Sequence, residues 1–193
     1  MTALVQHEIG PFTIDDWHAL PARDDGSRLE LLEGYWLVTP PPSGPHQWAE
    51  NEFLILLKTA LRAAERMDLF AVGGIGVEIG TARRTALIPD FVVLDTAPLG
   101  NSFGAEHVRL AGEIWSPGNT SREQRDKLDA CAEAGIPFFW SVAQDGRGPT
   151  ELVAYRLDGE RYTPATSVRL GDGPVHIEES PAPLELDIAT LRL

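Results

Sequence analysis

Between His46 and Ala64 apolar side chains return every three or four positions, at Phe53, Leu54, Leu57, Ala60, Leu61 and Ala64. That period predicts one long amphipathic helix with a single buried face. Upstream, Thr13 before Ile-Asp-Asp-Trp has the form of an N-cap with acids in the first turn, so a short helix should run to Leu20 and stop at Pro21. After the turn ARDDGS, residues 29–38 read as a hairpin reversing at Glu33-Gly34. The run TPPPSGP at 39–45 is a stiff connector into the long helix.

Strand patterns dominate the middle of the chain. Residues 69–80, LFAVGGIGVEIG, predict a strand bent at its glycines, and residues 87–94 a central strand, short, β-branched and apolar on both faces. A polar loop over 95–107 leads to a strand over 108–115. TSRE and SREQ both fit a capping box, so a helix begins at Thr120 or Ser121, and Gly135 and Pro137 stop it. A strand over 138–142 and a hairpin over 151–165, turning at Asp158-Gly159, complete the predicted core. The tail is Pro-rich and acidic and is expected to wrap the domain edge. The elements show no internal repeat and no linker to a second domain, so one domain is predicted.

At 193 residues and 43% hydrophobic, the chain can bury a core without a disulfide, and its one cysteine, Cys131, forms none internally. No apolar run approaches a membrane span, so a cytoplasmic protein without a membrane partner is expected. The net charge of −13 argues against coating nucleic acid by charge alone, while leaving room for a local basic groove. Of sixteen basic residues only Lys58 and Lys127 are lysines. Lys58 reads as a surface residue, and the surroundings of Lys127 ask for more.

Glu30, Asp90 and Glu113 lie at the ends or on the faces of predicted strands. A carboxylate beside an apolar strand is costly unless paired, hydrogen-bonded or bound to a cation, so two on neighbouring strands suggest half a divalent-metal site. Lys127 lies fourteen residues after Glu113, one position off the stripe marked by Leu128 and Cys131. It either reaches Glu113, snorkels over the core, or pairs with Glu123. His46 and Glu50, at i and i+4, could face one metal, though such pairs are common by chance, and His7, His18, His107 and His176 have no ligand spacing. The glycines at 73, 74, 76 and 80 lack dinucleotide-site spacing, and Cys131 reads as a small core residue.

The segments LELLEG (29–34), PPPSGPHQ (40–47), IPDFVVL (88–94), GEIWSPGNTSREQRDKLDACAEAGIPFFWSV (112–142) and AYRLDGERY (154–162) resemble the Uma-type restriction endonucleases of the PD-(D/E)XK nuclease-like superfamily. The resemblance rests on order and spacing over five blocks from about Thr13 to Tyr162, and it implies a single α/β (α+β) domain with a restriction-endonuclease-like core over about 13–162, a central mixed sheet flanked by helices, and a tail over 163–193. Pro89-Asp90 stands where that family has its PD element, Glu113 where it has the second acid, and Glu30 where it has an upstream acid. Two residues after Glu113 stands Trp115 instead of the superfamily's lysine. In the Uma-type family the lysine lies on the following helix, at the place of Lys127.

The resemblance implies a Mg²⁺- or Mn²⁺-dependent endonuclease acting on nucleic acid, with DNA expected, as a homodimer. Asp90, Glu113 and the Ile114 backbone carbonyl would hold the metal, Lys127 would orient or activate the attacking water and stabilise charge on the phosphate, and Glu30 would complete the shell or position the lysine. His46 matches a family histidine at the helix start, where it could meet a phosphate, the alternative being a surface histidine near a helix end. The competing expectation is a non-cleaving regulatory or interaction protein that keeps the fold and its acidic pocket. Arg62, Arg66, Arg83, Arg84, Arg122 and Arg125 gathered around the acids would favour the nuclease, and the same arginines scattered would favour a small nucleotide or a protein partner.

Overall fold

The computed structural model describes residues 10–21, 24–80, 82 and 84–193. Thr13 caps α1 (Ile14–Ala19) reciprocally: Asp16 N–H donates to the Thr13 hydroxyl oxygen and Thr13 N–H donates to Asp16. β1 (Arg28–Leu32) turns into β2 (Tyr35–Thr39) through Glu33 and Gly34, both at positive φ, 52° and 83°. That two-residue turn matches the twist of the paired strands. α2 (Gly44–Ala63) follows the proline connector and buries Ala49, Phe53, Leu57 and Leu61 along one face, as the periodicity predicts.

The next stretch is β3 (Phe70–Gly73), β4 (Gly76–Gly80), β5 (Thr85–Leu87), β6 (Phe91–Leu94), β7 (Ser102–Gly104) and β8 (Val108–Trp115). α3 (Ser121–Glu133) precedes β9 (Phe138–Asp145), β10 (Gly148–Asp158) and β11 (Arg161–Arg169), and the tail adds β12 (Val175–Ile177) and β13 (Leu184–Leu186). Six strands form a mixed sheet in the order β11-β10-β9-β8-β6-β3, parallel only between β8 and β9. Five more form a second sheet, β2-β1-β5-β4-β7.

Four expectations are revised. The bent strand over 69–80 is two strands in different sheets, divided at Gly73-Gly74, and the central strand over 87–94 is likewise split at Ile88-Pro89-Asp90. Proline has no N–H to give to a ladder, so the run leaves one sheet there and enters the other. The polar loop over 95–107 contains β7, which pairs in parallel with β4. The tail does more than wrap an edge: Ile177, Leu184, Leu186, Ile188 and Leu191 join the core beneath α2.

Alternation along the six-stranded sheet sends Phe91, Val93, Leu110, Ile114 and Trp140 to the face covered by α2 and the tail. Val92, Leu94, Ala111, Trp115 and Phe139 face α3 and the second sheet. The same alternation points Glu113 toward α3. Beside it, Gly112 pairs with Phe91 across β6 and β8, and a Cβ there would land inside the Phe91 ring. Gly112→Ala is therefore expected to cost about 1–3 kcal/mol by overpacking a closed core. Urea denaturation checks this, and an unchanged midpoint would mean that the ring moves aside freely.

Candidate active site

The split at 88–90 frees backbone donors from the ladder, and the acids take them. Glu30 on β1 accepts the N–H of Ile88 at 2.7 Å, and Asp90 accepts the N–H of Ile114 at 2.7 Å. Each carboxylate thus fills the place of a missing strand partner, which fixes both side chains at the junction of the two sheets.

On the α3 side, Lys127 is 4% exposed and its Nζ lies 2.8 Å from Glu30 Oε2 and 3.0 Å from Glu113 Oε1. Of the three alternatives for this lysine, the structure has the contact with Glu113. Glu123 instead accepts from Asn119 Nδ2. Two acids and one ammonium, all buried, leave one negative charge too many. Burial pushes the Glu113 carboxyl up to about 8, helped by Asp90 and Glu30 and opposed by Lys127, so near neutral pH it mostly keeps its proton. Burial works against the charge on Lys127, but Glu113 and Glu30 outweigh it and raise its pKa. The lysine is a permanent cation here.

On the other side, Asp90 Oδ1 is 3.0 Å from His46 Nε2 and 2.9 Å from Arg28 Nη1. Arg28 also reaches Glu50 at 3.5 Å. Burial would raise the Asp90 pKa, but His46, the Ile114 amide and Arg28 together lower it, so Asp90 is an anion. Glu50 is raised by burial. A Cβ on Gly73 would collide with the Glu50 carboxylate, so glycine there makes room for this acid beside Asp90. Ligand atoms of His46, Glu50 and Asp90 all lie within 4.8 Å of one another. The i, i+4 pair on α2 therefore has a third member, supplied by the strand junction.

His46 is buried instead of lying on the surface, and Gln144 Nε2 at the end of β9 is 3.0 Å from its Nδ1. The buried amide oxygen of Gln144 has no partner among the described residues. Ile114 meets Asp90 through its N–H. Arg28 and Gln144 were not singled out by sequence. Arg28 had a signal, because it lies two residues before Glu30 and strand alternation puts both on one face. Gln144 had none, because only the sheet register brings it to His46.

Asp90, His46 and Arg28 border a cleft of about 370 Å³, whose sides come from the β2 end, the proline connector and the turn before α3. Glu30, Glu113 and Lys127 lie behind this cleft. Cys131 is buried among the α3 contacts, where burial pushes its thiol up, consistent with packing instead of reactivity. His7 and Arg83 lie outside the described residues. Among the described residues no helix is long and apolar enough to cross a membrane.

Comparison with known proteins agrees with this arrangement of elements. A crystal structure described as a putative nuclease belonging to DUF820, from Anabaena variabilis, is similar with a TM-score of 0.73, covering 94% of this chain and 97% of that one. The two sequences are 20% identical, so the likeness is one of fold. No curated protein matches. Residues 14–190 match the Uma2 family, described as putative restriction endonuclease, and with nearly its whole length in that match the chain belongs to the Uma2 family.

Proposed function

We propose that this protein is a divalent-metal-dependent nuclease that hydrolyses nucleic-acid phosphodiester bonds, with Asp90 as the shared residue of its site. The observation that carries the reading is the position of Asp90. One carboxylate oxygen faces His46 and Arg28, and the other is fixed by the Ile114 amide next to Glu113 and Lys127. Family membership gives the nuclease assignment its prior.

The donor set suits a divalent cation. One imidazole nitrogen and two carboxylates converge at His46, Glu50 and Asp90, a mixture compatible with Mn²⁺ and, with water completing the shell, with Mg²⁺. Glu113 and the Ile114 carbonyl are the further ligands that the resemblance assigns, on the β8 side of Asp90. The chemistry such an ion supplies is Lewis-acid polarisation of a phosphate oxygen and a more acidic water.

The chain's own residues divide the remaining work. Arg28 neutralises Asp90 and Glu50, and its planar fork suits a phosphate that enters the cleft. Lys127, held cationic, keeps a fixed positive charge beside Glu113 as negative charge develops on the phosphate. It is no base, since it has no free lone pair near neutral pH. Gln144 Nε2 donates to His46 Nδ1, which puts the ring proton on Nε2 facing Asp90, so ligation through Nε2 would need the Gln144 amide turned to present its unpaired oxygen to Nδ1. A cytoplasmic setting and DNA as the nucleic acid belong to the same proposal.

Cleavage of supercoiled plasmid and of single-stranded oligonucleotides in Mg²⁺ or Mn²⁺ tests it. Asp90→Ala and Glu113→Gln are each expected to lower the rate at least about a hundredfold with the circular dichroism spectrum unchanged. Equal rates in wild type and variants would trace the activity to a contaminant. No cleavage of any substrate would favour a non-cleaving member that keeps the acidic pocket.

A further inference from the structure

Resting on the nuclease reading, we infer that the cleft takes one splayed nucleotide of a single strand, with its base against the proline connector, and does not take an intact duplex. The cleft has two chemically different sides. Its depth is polar, where Arg28, His46 and Asp90 converge. Its outer wall is aliphatic, made by Leu37, which pairs with Glu30 on the same face of the hairpin, and by the three prolines at 40–42. A phosphate belongs at the deep end and a flat, weakly polar ring at the wall, as in sites that read unstacked bases between apolar side chains.

The far rim narrows the choice further. Asn119 donates to Glu123 at 2.7 Å, and both residues border the cleft. A carboxylate there repels a second backbone phosphate but accepts from the amino groups on a base edge.

A duplex needs cations along two phosphate tracks. Of the arginines expected to supply them, those among the described residues are elsewhere. Arg62, Arg66, Arg84, Arg122 and Arg125 are exposed, and none borders the cleft. Arg66 pairs with Asp68 at 2.8 Å, and Arg122 with Asp126 at 3.5 Å. Arg62 is sixteen residues beyond His46 on α2, about 24 Å along the helix axis. Among the described residues Arg28 is the one arginine bordering the cleft, on a chain of net charge −13. One cation deep in a pocket suits one phosphate. A single strand also needs only one active centre, which removes the reason for pairing two in a homodimer.

Fluorescence anisotropy with a 5′-fluorescein 12-nucleotide DNA strand in Ca²⁺ tests the inference, with strand integrity checked on a gel. The strand is compared with its duplex and with an abasic version. The single strand is expected to bind at least tenfold more tightly than either. Pro41 is exposed on the wall, so Pro41→Glu leaves the fold intact, and it should cost the single strand about tenfold while leaving the duplex unchanged. Pro41→Val should keep the affinity. A duplex bound as tightly as the strand, an abasic strand bound as tightly as the normal one, an indifferent Pro41→Glu, or no binding at all would each overturn the inference. The nuclease reading fails separately. Single-strand binding through the wall without cleavage in Mg²⁺ or Mn²⁺ would sink that reading alone, and duplex preference with Asp90-dependent cleavage would sink only this inference.

Discussion

Lys127→Met is expected to lower the stability of the fold by about 3–5 kcal/mol at pH 7, measured by urea denaturation. The ammonium is enclosed by Glu30 and Glu113, which are 1% and 5% exposed. Methionine fills the stem's volume, so most of the cost comes from charge and little from a cavity. Glu113 already keeps most of its proton near neutral pH. The residue left exposed to the cost is Glu30, whose charge would then be answered only by the Ile88 amide and, at 3.4 Å, by the Thr39 hydroxyl. One corollary separates this account from simple loss of packing: Glu30→Gln in the Lys127→Met background should recover most of the loss. A loss under about 1 kcal/mol would mean that water already reaches the three side chains.

Lys127 also marks how far the sequence could be read. Its helix, the cap at Thr120 and the Gly135 stop all follow from local chemistry, as do the Glu33-Gly34 turn and the buried face of α2. The pairing of Asp90 and Glu113 at one junction follows from the strand pattern together with the family spacing. Periodicity alone left three readings of the lysine open, because a residue one position off a buried stripe can face inward or outward. The resemblance, not the periodicity, favoured the contact that the structure has.

What was not legible depends on which sheet a strand joins. The run from Leu87 to Leu94 is apolar on both faces and reads as continuous, yet Pro89 divides it between two sheets. The polar centre exists because of that division, since Glu30 and Asp90 are held by the donors that it frees. Arg28 and Gln144 reach the site from other strands through register, which no local signal encodes. The tail misled through its composition. Its prolines and acids suggest a solvated strap, whereas Leu184 and Leu186, two residues apart on β13, carry the period of a half-buried strand.

In a chelated, metal-free sample, stability should fall as pH rises from about 5 to about 8, and Glu113→Gln should remove that part of the slope. The Glu113 carboxyl is raised from 4.5 to about 8 in the folded chain, so the native state binds this proton more tightly than the unfolded state does. The proton's contribution is fully present below 4.5, where both states carry it, and it is lost as pH climbs through about 8. Within that window one linked proton gives a slope of at most about 1.4 kcal/mol per pH unit. Asp90 acts in the opposite sense but in another range. Its pKa is lowered from 3.8, so its contribution is lost only at more acidic pH. Glu50, also raised by burial, tilts the curve the same way as Glu113, so the slope of the wild type alone is not diagnostic. The difference between wild type and Glu113→Gln isolates the residue, because a glutamine imitates the neutral carboxyl at every pH. The two proteins should be of similar stability at pH 5, and the variant the more stable of the two at pH 8.5. Parallel curves across that range would mean that Glu113 is ionised in the native state, and that Lys127 alone balances both acids.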